Sequence, residues 1–425
     1  MAKTLKTIPK DWQKINLGVA CNFERGIEPG ADAYNSEGIG ERFLRVVDVT
    51  ESRNDPIYVD IRTTKKLKEG DAALTLDGTI GAVKTGLKGI YSTGIRKVSF
   101  RNGANSSRLL YYILQSNTIQ RTIDVYASGS TIKHASSAIP HLFTIIPNSP
   151  SEGNKIAEIL STIDDAIEKT DALIEKYKRM KTGMMQDLFR YGIDDKEKIR
   201  SEKTHKFKNS PLGKIPEEWK VVNIPSFINQ ADPNAIKSGP FGSNLKKETY
   251  TENGFKVYGQ EQVIAGNPNI GDYWISKKKY NELAAFKITA GDILISLVGT
   301  IGNVLVLPQN CSAGIINPRL LKITPDVNKC NTRFLVYSLL HEKTNLQLSN
   351  LATGGTMPVL NKGIVESISF VFPPQKEQKL ISGVIDGIEE VIVKETFERE
   401  KLALLKAGLM EDLLAGTVRV NHLVK

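Results

Sequence analysis

Residues able to do covalent or metal chemistry are few in this sequence, and none stands at a working spacing. The five histidines (His134, His141, His205, His341, His422) fall in no HExxH or comparable ligand pattern. Cys21, Cys311 and Cys330 form no CxxC and no disulfide framework. No GxxxxGK[ST] phosphate loop, no strand-led GxGxxG, no GxSxG elbow and no Asn-Pro-Pro-Tyr tetrapeptide occurs. Asp164-Asp165 and Glu389-Glu390 lie in acidic helical stretches and read as solvated faces. The sequence therefore predicts no catalytic residue, no metal and no cofactor in this chain.

What remains is non-covalent chemistry suited to a polyanion. Lys65 and Lys66, Lys246 and Lys247, and Lys277, Lys278 and Lys279 form clusters, the last beside Tyr273, Trp274 and Tyr280. Lysines bind phosphates as point charges, and Tyr and Asn can position or read bases. A lysine run is usually a solvated surface, so the inference rests on placement. The formal charge of +10 divides as +6 over 1–150, −2 over 151–189, +3 over 190–211, +4 over 212–373 and −1 over 374–425. Generic solubility would not sort charge between globular and helical stretches in this way. The seven lysines are the candidate DNA-binding residues.

The elements that position them occur twice. Ile8-Pro9-Lys10-Asp11-Trp12 returns as Ile215-Pro216-Glu217-Glu218-Trp219, Gly70-Asp71 as Gly291-Asp292, and Gly78-Thr79-Ile80-Gly81 identically as Gly299-Thr300-Ile301-Gly302. Ala127–Thr131 corresponds to Ala352–Thr356, and Gly183–Leu188 to Gly408–Leu413. The order is kept while the offset drifts from 207 through 221 to 225 residues, as a tandem duplication requires. Two units of this size exclude a solenoid or propeller. Between the anchors, 13–69 and 220–290 share little, which suggests one scaffold carrying two specificities.

The globular part of each half reads as mixed α/β. Leu44–Val49 and Asp292–Val298 are strand-like runs. Gly-Asp reads as a turn into a buried strand, and Gly-Thr-Ile-Gly as the tight turn leaving it. Arg108–Gln120 and Arg333–Gln347 are predicted helices. A long helix follows in each half. Its apolar stripe, Ile156, Leu160, Ile163, Ile167, Thr170, Ile174, Tyr177, Lys181, Met184 and Leu188, steps by alternating four and three residues, the coiled-coil period. Adding 225 gives Ile381, Ile385, Ile388, Ile392, Glu395, Arg399, Leu402, Lys406, Leu409 and Leu413. Two matching stripes predict an antiparallel intramolecular pair, with the polar seam positions fixing register. A fully helical 151–189 spans ~58 Å and would act as a spacer.

The expected organisation is therefore α+β. It comprises a domain over 1–150, a helix over 151–189, a polar linker over 190–211, a second domain over 212–373, and a helix with its tail over 374–425. Hydrophobic residues at 40% and charged residues at 24% exclude wholesale disorder. No apolar run reaches the ~18 residues of a membrane span, and the first residues lack a signal-peptide core. The cytoplasm is the expected compartment.

The same motifs resemble those of type I restriction-modification specificity subunits. Leu212–Trp219 and Ile8–Trp12 are similar to the start of that family's target recognition domains. Ser238–Leu245, Gly291–Leu294 with Gly299–Asn303, and Gly354–Pro358 leading through Ile368–Pro374 to Gln375–Gln378 are similar to its signatures. The first half departs at Arg25–Gly30 and Ser128–Lys133. The resemblance implies two target recognition domains, each reading half of a split double-stranded DNA sequence. It also implies conserved helices that set the spacing and dock adenine methyltransferase subunits, two of them expected. Those partners would bind S-adenosylmethionine, and separate motor subunits would translocate and cut. Half-sites about one helical turn apart, ~34–36 Å, are expected. Met184, Met185, Met410 and Leu414 are the candidate partner-binding residues. A stand-alone duplex-binding protein, the binding part of a self-contained DNA-modifying enzyme and a coiled-coil scaffold without DNA are the competing readings.

Overall fold

The computed structural model describes residues 8–51, 55–101, 106–353 and 358–424. Two compact units emerge, and both are discontinuous in sequence. One comprises residues to Leu173 together with Glu395 onward, and the other comprises Ile174–Lys394. The first long helix (Pro150–Tyr191) and the second (Gln375–Leu414) each contribute one end to each unit. The linear boundaries expected from sequence thus cut across the compact units.

In the first unit, Ile95–Phe100 pairs antiparallel with Ala72–Thr75 and with Cys21–Arg25. A second sheet orders Tyr34–Asn35, Ile57–Val59, Glu41–Leu44, Gly89–Tyr91 and Lys66–Leu67. In the second unit, Leu320–Ile323 pairs with Ile293–Ser296 and with Ile236–Ser238. The duplication reaches the level of register: Ile95 faces Thr75 as Leu320 faces Ser296. The Gly-Asp turn repeats too. Asp71 accepts the Lys68 N–H at 2.8 Å, and Asp292 accepts the Thr289 N–H at 2.7 Å.

Three local expectations change. Leu44–Val49 is not one strand. Glu41–Leu44 is extended, but Val46–Thr50 is helical because Asp48 accepts the Arg45 N–H (2.8 Å) and starts a helical turn. The helices expected over 108–120 and 333–347 each break once. Ser107–Gln115 gives way to Asn117–Val125 at Ser116, and Thr332–Leu340 to Glu342–Leu351 at His341. Both break residues are extended, with ψ 145° and 143°. Ser106 and Asn331 cap the leading helices in the same way. Third, 190–211 is folded rather than a plain linker, since Phe207–Ser210 pairs with Gly213–Pro216 and Arg200 is nearly buried.

The long helices pair antiparallel within each unit. In the first, Lys406 bonds Asp164 at 2.6 Å and Arg399 bonds Asp171 at 3.1 Å. In the second, Lys181 bonds Glu389, and Leu188 packs with Ile381 and Ile385. The residue numbers of each of the three ion pairs sum to 570, so the same pairing register is seen within each unit. Every residue of the two predicted stripes is at least partly buried. The polar seam positions Lys181, Lys406 and Arg399 set this register, as the periodicity implied.

Candidate nucleic-acid interface

The seven predicted lysines are not equivalent. Lys65 is ion-paired with Glu24 at 2.8 Å, and its hydrogen bond holds the Glu24 carboxyl below the ordinary carboxylate range. Lys66 is paired with Glu41, and Lys279 with Glu282 at 3.2 Å. These three are partly neutralised within the chain. Lys246, Lys247, Lys277 and Lys278 are exposed, with no ion pair among the described residues. The second unit's other sheet brings these four together. Tyr250 pairs with Ile275 and Thr251 with Trp274, antiparallel. The residues before Tyr250 and those after Ile275 therefore lie at the same end. Tyr273, more than half exposed, packs its ring 5.1 Å from that of Tyr250. Phe241, 70% exposed, precedes Lys246 in the Ser238–Leu245 signature. Sequence reasoning missed Phe241, although a bulky apolar residue within a Gly-Pro-rich motif was a signal. The four cations at one end of this sheet, together with the exposed rings of Tyr273 and Phe241, suit a nucleic-acid backbone and its bases.

A second feature occurs in both units. The Gly-Thr-Ile-Gly turn and the segment corresponding to Ala127–Thr131 meet in space. Lys133 faces Gly78 and His134 faces Asp77 across a short ladder. In the second unit Gly299 donates to Pro358 at 3.0 Å, and Val298 bridges Val359. The companion segments close identically, Ser128 on His134 and Thr353 on Val359. Gly354–Met357, part of one resemblance motif, lie outside the described residues. Asp77 also bonds His134 at 2.7 Å and the buried Arg96 at 3.1 Å, an anchor peculiar to the first unit.

The base of each unit is fixed by a second pair of twins. Trp12 donates its indole N–H to Glu152 at 3.3 Å, and Arg419 binds both Glu152 and Asp11. Trp219 donates to Glu377 at 3.0 Å, and Arg200 binds both Glu377 and Glu218. In each case the arginine follows a helix-ending glycine in the left-handed region, Gly416 (φ 63°) or Gly192 (φ 68°). The hydrogen bond from Arg419 holds the Glu152 and Asp11 carboxyls below their ordinary values.

Asp164 and Glu389 correct the expectation of merely solvated faces. Tyr112 donates to Asp164 and Tyr337 to Glu389, each at 2.7 Å, while Lys406 and Lys181 complete the twin clusters. The buried Tyr112 and Tyr337 hydroxyls are pushed well above the usual phenol range, first by burial and then by neighbouring carboxylates, Asp164 for Tyr112 and Asp386 followed by Glu389 for Tyr337.

Met184 and Met185 pack on the core formed by Leu188, Trp219 and Ile381. Met410 and Leu414 pack on that of Trp12, Leu160 and Leu413. These four are core-facing, a correction to their expected role as a free surface. The large apolar side chains that the long helices leave exposed are Met180, Val384, Val393, Phe397, Leu404 and Leu405. Among the described residues, no cluster of three or more His, Cys, Asp or Glu could hold a metal. Likewise, no helix is long and apolar enough to cross a membrane.

Comparison with known proteins agrees with this geometry. The family model for the type I restriction modification DNA specificity domain matches residues 9–176 and again 216–404. The type I restriction enzyme MjaVIII specificity subunit of Methanocaldococcus jannaschii is 26% identical, over 98% of this chain and 95% of its own. The solved type I S subunit of M. genitalium superposes with a TM-score of 0.60 at 16% identity, covering 97% of this chain and 98% of that one. A chain solved to explain complex assembly and conformational transition of the type I R-M system superposes at 0.57 with 15% identity, covering 97% and 100%.

Proposed function

The chain belongs to the type I restriction-modification DNA specificity family, with the domain present twice, and from that premise we propose that it reads a bipartite duplex target, one half-site per unit. As a specificity subunit it is the non-catalytic member of its system, and catalysis belongs to methyltransferase and restriction subunits. The observation that carries the proposal is the duplication itself. The two units share register, helix pairing and base clasps, yet they differ where the sheets end in solvent. One fold with two different sets of sheet ends is what two different half-sites need.

On this reading Lys246, Lys247, Lys277 and Lys278, which have no ion pair among the described residues, meet the second unit's half-site together with Phe241 and Tyr273. Lys65, Lys66 and Lys279 contribute less because carboxylates already neutralise them. Two adenine methyltransferase subunits carry S-adenosylmethionine, and this chain binds no cofactor. Their docking surface includes exposed Phe397, Leu404 and Leu405 rather than the core-facing methionines. Restriction subunits join the same complex, which works on DNA in the cytoplasm.

The test is duplex binding by the assembled subunit–methyltransferase complex across salt concentrations. Phosphate contacts release counterions, so affinity should fall steeply and linearly in log–log form. Changing Lys246, Lys247, Lys277 and Lys278 together to Gln should flatten that slope by about four. A salt-independent response would instead support a scaffold that does not bind DNA. Binding that is steep yet unaffected by the methyltransferase would support a stand-alone duplex-binding protein.

A further inference from the structure

The two Gly-Thr-Ile-Gly turns hold one residue that the fold does not explain. Gly78, Gly81, Gly299 and Gly302 all have φ between 71° and 83°, where glycine is favoured. Ile80 and Ile301 pack against their units' cores. Thr75 and Ser296 close the turns from inside: their carbonyls accept from Gly81 and Gly302, and their hydroxyls accept from the N–H groups of Ala82 and Asn303. Structure thus accounts for every repeated position except Thr79 and Thr300. Both are exposed, and neither hydroxyl nor backbone N–H has a partner within the chain among the described residues.

These threonines are identical although the surrounding halves have diverged. A side chain that read bases should differ between units serving different half-sites. One that meets a feature common to both half-sites should not, and on duplex DNA that feature is the phosphate backbone. The exposed hydroxyl and free N–H of a glycine-rich turn supply donors for a phosphate oxygen. A cation without an ion pair among the described residues stands beside each tip. Exposed Lys133 faces Gly78 across the ladder. Exposed Arg319 gives its carbonyl to the Leu297 N–H at the second turn's entrance.

We propose that the two Gly-Thr-Ile-Gly tips are matched phosphate clamps, with Thr79 and Thr300 gripping the DNA backbone in the same way in each half-site. Lys133 and Arg319 add the charge. The clamps set position, and the divergent sheet ends supply sequence. This inference rests on the DNA-reading role proposed above.

The test uses the full chain assembled with its methyltransferase subunits, carrying Thr79→Val, Thr300→Val, both, or Lys133→Gln. The probes are a duplex bearing the complex's own methylated motif and an unrelated duplex. Each valine should weaken binding about tenfold or more, equally on both duplexes. The methylated motif and the unfolding midpoint should be unchanged. K133Q should lower the salt slope by about one. Unchanged affinity in the double valine variant would make the turn purely structural and overturn the clamp. An altered methylated motif would make Thr79 or Thr300 a base reader and overturn it equally. Loss of methyltransferase assembly with unaltered DNA affinity would assign the tips to a protein partner. If the unsubstituted complex fails to prefer its motif duplex, the DNA-reading role itself fails, whatever the variants do.

Discussion

Arg200→Ala is expected to destabilise the second unit by about 3–5 kcal/mol, the cost of leaving a buried charge without its partner. Glu377 is 5% exposed and accepts from Arg200, from the Trp219 indole and from the Ile193 N–H (2.9 Å). Removing the guanidinium leaves the carboxylate with two neutral donors in a core that also contains Phe334 and Ile381. Urea unfolding followed by tryptophan fluorescence should show the midpoint of this unit's transition fall by about 1–2 M. The twin change, Arg419→Ala, should cost less, because Asp11 is exposed and Arg419 partly so. Its effect should depend on pH with a defined sign. Arg419 lowers the Asp11 and Glu152 carboxyls below their unfolded values, so its stabilisation is complete above those values and is lost as pH falls through the lowered ones. The gap between wild type and R419A should be widest near neutrality and narrow below about pH 4. A constant gap would mean that Arg419 acts by packing alone.

One heptad inserted into each long helix, centred so that paired positions stay opposite, should lengthen the unread gap and leave both half-sites unchanged. Seven residues add about 10 Å of helix, about three base pairs at the axial rise of duplex DNA. The whole heptad keeps the seam facing inward, so Lys181–Glu389 and Lys406–Asp164 survive. Mapping of methylated sites would give the new gap directly. An unchanged gap would deny the helices their role as a spacer.

Much of the architecture was legible because it depends on period. Alternating steps of four and three residues, repeated 225 positions later, define both long helices and their seam. The conserved order of short motifs defined two units, and Gly-Asp and Gly-Thr-Ile-Gly are the turns their composition suggested. What was illegible depends on long-range partners. Arg200 and Arg419 do the same work, but they lie in segments that do not align, so no repeat marked them. Asp164 and Glu389 looked like solvated acids because nothing local shows that Tyr112 and Tyr337 stand beneath them. The breaks at Ser116 and His341 fall within apolar runs of helical period. Met184 and Met410 occupy partly apolar helix faces, and sequence alone cannot say which side a domain covers. At the candidate interface, lysine clusters were visible, but their neutralisation by Glu24, Glu41 and Glu282 was not.

As a member of the specificity-subunit family, this chain chooses the DNA sequence its partners modify. The most direct measurement is methylome sequencing of cells with the gene, without it, and with the gene restored. A single bipartite methylated motif with a fixed unread gap should disappear on deletion and return on restoration. A methylation pattern identical in all three would contradict that role.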